Sequence, residues 1–254
     1  MNPLPEPRSW HDRNVTVALG VLLFGASGVI AAAWTVGALA RGDFITAAIT
    51  AGGTMFTLST CAGVLVTRFK HVALRGSADQ KGTVLRPDPL GTALTCITFA
   101  AVIPSGALYV IYVPEGVVDL PLSRGEQIFT PILIGFLVAL AVGGLIAYAR
   151  RGPGYLLLSP QGFEIRELVS TKRGSWSEVT DITDNAPGVK ARHPIVILTK
   201  DSQPQSIQGA SGYAPNGAAL YWMIRHYWKH PENRDELADG RALERLRNEQ
   251  FEPE

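Results

Sequence analysis

The stretch IFTPILIGFLVALAVGGLIAYARRGPGYLLLSPQGFEIR, residues 128–166, decides how this chain is built. Its first 22 residues, 128–149, contain no Asp, Glu, Lys, Arg or His. As a helix that run spans roughly 33 Å, about one hydrocarbon core. Arg150-Arg151 end the run, and Gly152-Pro153-Gly154 break the helix. Tyr155 to Ser159 then reads as a strand and Ser159-Pro160-Gln161-Gly162 as a type I turn. Phe163-Glu164-Ile165-Arg166 alternates apolar and polar, as a half-buried strand does. A helix suited to lipid gives way within a few residues to a sheet suited to water.

Three more stretches upstream share the first property: 14–40, 44–67 and 90–113 carry no ionisable side chain. In hydrocarbon, backbone groups must be satisfied within the segment, so all four are expected to be spanning helices. The chain has 254 residues and a net charge of +1, but its charge is unevenly spread. Residues 1–150 hold 10 Lys/Arg and 8 Asp/Glu, against 13 and 14 in residues 151–254. Intrinsic disorder and a simple cytosolic enzyme are excluded for the first part. The first run exceeds the h-region of a secretory signal, so it reads as an uncleaved span.

Orientation follows the basic residues. The N-terminal tail 1–13 has Arg8 and Arg13, and the flank after span four has Arg150-Arg151. The loop between spans two and three has Arg68, Lys70, Arg75, Lys81 and Arg86. The other two loops have one each, Arg41 and Arg124. A multi-pass protein of the cytoplasmic membrane with both termini cytosolic is the expectation. The absence of ionisable groups in the spans argues against a pump or ion-coupled carrier. Gly135, Ala139, Gly143 and Ala147 lie four apart in span four, and packing within the four-helix unit is favoured over a homo-oligomer seam. Cys61 and Cys96 read as small core residues.

Beyond residue 152 further strands are expected, among them Ile195 to Thr199 and Gln205 to Gln208. Asn216 is placed to cap a helix running to about His230, with Leu220, Met223, Ile224 and Tyr227 as its apolar stripe. The fold class is therefore α+β: four transmembrane helices (domain 14–151) followed by a small barrel or bent sheet capped by a helix (domain 152–230). The tail 231–254, with four Arg and eight acidic residues, is expected to be solvated.

Tyr155 to Ile165 together with Lys172-Arg173-Gly174-Ser175-Trp176-Ser177-Glu178-Val179 resembles the bacterial pleckstrin-homology-like domains of actinobacterial membrane proteins. The resemblance covers about residues 152–230. It implies a PH-like fold on the cytosolic side and a binding role, and it supplies no catalytic signature.

No catalytic, metal or cofactor constellation stands out. His226 and His230 are four apart but lack a third ligand, so an aromatic-rich helix end is the preferred reading. The candidate contacts for a headgroup or an acidic protein are Arg68, Lys70, Arg75, Lys81, Arg86, Lys172, Arg173, Lys190 and Arg192. Nucleic acid is not expected, because no basic face with interleaved aromatics is visible. The leading expectation is a non-enzymatic anchor that displays a module for membrane lipid or for a membrane or cytosolic protein. One rival is a small transporter or channel subunit lined by Thr50, Thr54, Thr57 and Ser59 or by Thr92, Thr95 and Thr98. The other is a membrane enzyme using the outer-loop acids Glu115, Asp119 and Glu126.

Overall fold

The computed structural model describes residues 4–10, 14–69, 74–186, 193–200, 203–207, 209–214 and 217–253. The chain divides into two compact units. One is the four long helices. The other is assembled from three separate pieces of chain: the N-terminal segment, the connection between the second and third helices, and everything after Gly152.

The helical unit comprises α1 (Asn14–Ala40), α2 (Phe44–Phe69), α3 (Pro89–Tyr112) and α4 (Arg124–Arg151), each long and apolar enough to cross a membrane. Each helix packs extensively only on its chain neighbours, so among the described residues the four form a row rather than a ring. Every neighbouring pair is joined by two hydroxyls. Thr35 and Thr50 lie 2.9 Å apart, Ser59 and Thr98 2.8 Å, and Tyr109 and Thr130 2.7 Å. Small residues bring the backbones together: a Cβ on Gly52 would collide with Ser105, and one on Gly106 with Val138. Between the α1–α2 and α3–α4 loops Arg41 pairs with Asp119 at 2.9 Å, and Asp43 caps α2 by accepting from the Thr46 backbone N–H at 3.0 Å.

The small-residue stripe of α4 does not behave as one packing face. Gly135 faces Val110 of α3 and Ala147 is half-buried, but Ala139 and Gly143 are exposed. Four residues advance a helix by roughly 400°, so a strict four-residue stripe drifts about 40° per step away from its neighbour. The buried positions are Pro131 and Ala141, and Gly144 approaches Phe99.

The second unit holds two antiparallel sheets. In the first, β1 (Arg75–Asp79), β2 (Gly82–Arg86), β3 (Tyr155–Leu158), β4 (Gly162–Arg166) and β5 (Thr171–Ser175) lie in chain order. The second has β6 (Val179–Thr183), β7 (Ile195–Thr199) and β8 (Gln205–Ile207). Leu85, Leu156 and Ile165 form one inward row, and Thr83, Leu158 and Phe163 the next; all six are buried. They meet Ile182, Ile195, Ile197 and Ile207 of the other sheet, and α5 (Ala218–Lys229) inserts Leu220, Met223, Ile224 and Tyr227. The expected apolar stripe is the one buried. The residue before α5 is Gly217 in a left-handed conformation, and Asn216 lies outside the described residues.

Three sequence expectations are corrected here. Of the expected barrel or bent sheet, the barrel is not formed: among the described residues no ladder joins β5 to β8, and side chains bridge the gap. Lys172 Nζ donates to the Ser206 carbonyl and Gln205 Nε2 to the Arg173 carbonyl, both at 3.4 Å. The connection carrying Arg75, Lys81 and Arg86 is not a plain basic loop but the β1–β2 hairpin, with β2 pairing to β3. The acidic tail is not a free segment but packs onto the sheet unit. Residues 231–253 include α6 (Glu236–Asp239) and α7 (Arg241–Arg247), and Leu237, Ala242, Leu243, Leu246 and Phe251 are buried in the common core. Leu237, Leu243 and Leu246 are buried, while Asp239, Arg241, Glu244 and Arg247 are exposed. Thr83 Oγ1 donates to the Leu237 carbonyl at 2.7 Å, tying hairpin to tail. The N-terminal segment joins the same core. Trp10 is buried, its indole N–H donating to the Pro194 carbonyl and its ring stacked on His193.

Candidate functional site

Residues directly opposite each other in a sheet share a face, so the register sorts the basic residues. Arg75 faces Arg86 across β1 and β2. The β2–β3 register, continued by one residue, sets Arg86 against Tyr155. Tyr155 faces Arg166, which faces Thr171. One row across all five strands therefore reads Arg75, Arg86, Tyr155, Arg166, Thr171. It lies on the outer face, opposite in direction to buried Leu85, Leu156 and Ile165.

Arg75 and Arg86 are exposed and have no ion-pair partner among the described residues. The Arg166 guanidinium stands over the Tyr155 ring, 5.5 Å from its centroid. The phenol of Tyr155 donates to Glu164 at 2.7 Å, and Arg173 Nε donates to the same carboxylate at 2.9 Å. Burial pushes the Glu164 carboxyl up, but these two bonds more than reverse it, so it stays below its ordinary range. Glu164 is thus spent on Tyr155 and Arg173. Like charges directly opposite in a sheet are destabilising, and Arg75 and Arg86 are such a pair, with no acid between them among the described residues.

The structure divides the other candidates. Lys81 sits on the β1–β2 turn, at the far end from the row. Lys172 pairs with Glu167 at 3.2 Å on the core-facing side of β5. Arg173 is on the outer face, one step inward, but paired. Lys70, Lys190, Arg192 and the Arg68 side chain lie outside the described residues. Arg166 and Tyr155 were not singled out from the sequence. The alternation in Phe163-Glu164-Ile165-Arg166 is the signal that places Arg166 on the polar face.

The features behind the rival readings have local uses. Thr50, Thr54, Thr57, Ser59, Thr95 and Thr98 all donate to carbonyls of their own helix. Glu126 forms the capping box of α4 with Ser123, and Asp119 holds Arg41. His226 Nε2 faces Asn233 and Arg245, and His230 pairs with Glu232. Among the described residues no group of three metal-ligating side chains occurs. Cys61 and Cys96 are free thiols. A cleft of about 570 Å³ between the N-terminal segment and α5 is lined by Glu6, Arg8, Asp184 and Arg225, whose charges balance.

Comparison with protein-family models, with curated proteins and with solved structures finds no match.

Proposed function

We propose that this is a multi-pass membrane protein that holds a PH-like binding platform at the cytosolic face. The platform takes an anionic partner through the arginine row of its larger sheet. The observation that carries this reading is the row Arg75, Arg86, Arg166 around Tyr155, two of whose guanidiniums have no counter-ion among the described residues. Four strands, β2 to β5, face three, β6 to β8, with α5 against them. That arrangement supports a PH-like module whose first strand is delivered by the connection between α2 and α3. The basic residues of that connection support the cytosolic orientation. A binding role fits a surface with charge and shape.

The test is photo-crosslinking in native membranes from benzoylphenylalanine at exposed Thr171, the end of the row. An adduct with lipid or protein is expected, and it should disappear when Arg86→Glu and Arg166→Glu are combined. No adduct, or an adduct indifferent to the charge reversal, would remove the row as the binding face.

A further inference from the structure

The N-terminal segment is tied down on both sides of Glu6-Pro7-Arg8. Before it, the Trp222 indole N–H donates to the Pro5 carbonyl at 2.9 Å, and the Leu4 N–H donates to Glu249 at 3.4 Å. After it, the Ser9 N–H and hydroxyl donate to the Asp184 carboxylate and carbonyl at 2.8 and 2.9 Å, and Trp10 is seated in the core. Proline fixes φ, so Pro5-Glu6-Pro7 is a stiff strut rather than a segment free to collapse. The cleft of about 570 Å³ lies against this strut, with Tyr221, Trp222 and Arg225 of α5, Asp184 and Pro253 as its other walls. Small-molecule sites ordinarily measure about 300–1,000 Å³. All of these residues belong to the sheet unit.

Glu6, Arg8, Asp184 and Arg225 give the cleft two charges of each sign, and no two of them pair with each other. Glu6 and Arg8 are exposed and have no ion-pair partner among the described residues. The Asp184 carboxylate accepts from the Ser9 N–H alone among the described residues. Arg225 Nη1 donates to the Ile182 carbonyl at 2.7 Å and lies 3.7 Å from Asp181, while Nε is buried without a partner. Burial pushes the neighbouring Tyr221 phenol up, the mark of a wall that water reaches poorly. A donor left unmatched there is costly, and a ligand that brings an acceptor relieves it. A plain anion would meet Glu6 and Asp184, and a plain cation would meet Arg8 and Arg225. The cleft suits a molecule that carries both charges, with its apolar body against Trp222 and the prolines.

We propose that this cleft binds a small zwitterion of the amino-acid type, an α-amino acid or a dipeptide, with its carboxylate on Arg8 and Arg225 and its ammonium on Glu6 and Asp184. The site uses no residue of the arginine row and stands apart from the binding face proposed above. A ligand that bridges the strut and α5 adds its binding free energy to their attachment.

The experiment uses the full chain in detergent. Each of the common amino acids and the dipeptide leucyl-leucine is titrated into it by calorimetry, with the N-acetyl and amide derivatives of the tightest binder as controls. Saturable binding of the free zwitterion is expected, weakened about tenfold or more in either derivative, since each lacks one charge. Binding of the dipeptide without any single amino acid supports the proposal and sets the ligand at two residues. Arg8→Gln should weaken the zwitterion and leave the amide as it was, and Glu6→Gln should weaken the zwitterion and leave the N-acetyl form as it was. Both positions are exposed and unpaired, so an unchanged unfolding temperature is expected in each variant. Arg225 also holds the Ile182 carbonyl, which makes it the poorer test position. No saturable binding at roughly millimolar ligand overturns the proposal. Equal binding of the derivatives, or binding indifferent to both Arg8→Gln and Glu6→Gln, overturns it too.

Discussion

Trp10 falls in the N-terminal tail 1–13, and it is a core residue. Replacing a buried aromatic by Ala typically costs about 3–5 kcal/mol. Trp10→Ala should therefore lower the unfolding temperature of the sheet unit, followed by fluorescence of its remaining tryptophans, and leave the helical unit unchanged. A second residue-scale test concerns Glu236. It accepts from Arg245 Nη1 at 2.9 Å and from the Tyr227 hydroxyl at 2.9 Å. Burial pushes its carboxyl up, but those bonds outweigh burial and hold it below its ordinary 4.5. A carboxyl lowered in the folded state stabilises fully above its unfolded pKa and loses that contribution as pH falls through the folded one. Stability should thus decline below about pH 4.5. Glu236→Gln should flatten that decline and cost about 1–3 kcal/mol at neutral pH. An acid limb as steep in Glu236→Gln as in the native chain would rule Glu236 out as its source. At this scale the sequence was partly readable. It identified Arg75 and Arg86 by charge, but only strand register could tell them from Lys172 and Lys81, which carry the same charge elsewhere.

Among the elements, the spans were the most legible, because a run without charge in a membrane-length segment leaves one solution for the backbone. The edges of α1 match the apolar run 14–40, and α4 extends a few residues beyond 128–149 because Ser123 and Glu126 cap it earlier. The β1–β2 hairpin was hidden for a different reason. Its alternation is only five residues long in Gly82–Arg86, and its value depends on pairing with a strand far along the chain. The same holds for the tail, whose Leu237, Leu243 and Leu246 need a surface to bury against. Deleting residues 231–254 should accordingly unfold or sharply destabilise the sheet unit, scored by limited proteolysis. Survival of a compact, protease-resistant unit would show the tail to be dispensable. In the helical unit, Gly52→Leu should force α2 from Ser105 of α3 and reduce the yield of monodisperse protein in detergent. Gly53, around which there is open space, is the matched control and should tolerate Ala.

The whole molecule couples four helices long and apolar enough to cross a membrane to a sheet unit with its own core. The sheet unit draws on chain before α1, between α2 and α3, and after α4. Four crossings would put these three pieces on one side. Cysteines at Ser77 and Asn248 should therefore react with an impermeant reagent from one face, and a cysteine at Val117 from the other. Labelling of Ser77→Cys and Val117→Cys from the same face would break this arrangement. Composition could count the crossings but could not foresee that the connections fold together, since no single connection has a core of its own.

Interleaving of this kind sets a timetable during synthesis. When the ribosome has released β2, its partner β3 is still roughly 70 codons away, or about 4–14 s at an elongation rate of about 5–20 residues per second. For that interval the hairpin waits with an unpaired rim while two more greasy segments enter the bilayer. Charged side chains such as Arg75, Lys81 and Arg86 are the usual guard on an open edge. Neutralising them would then do its damage before the protein is finished, as aggregation on the ribosome, in copies whose completed fold would have been sound.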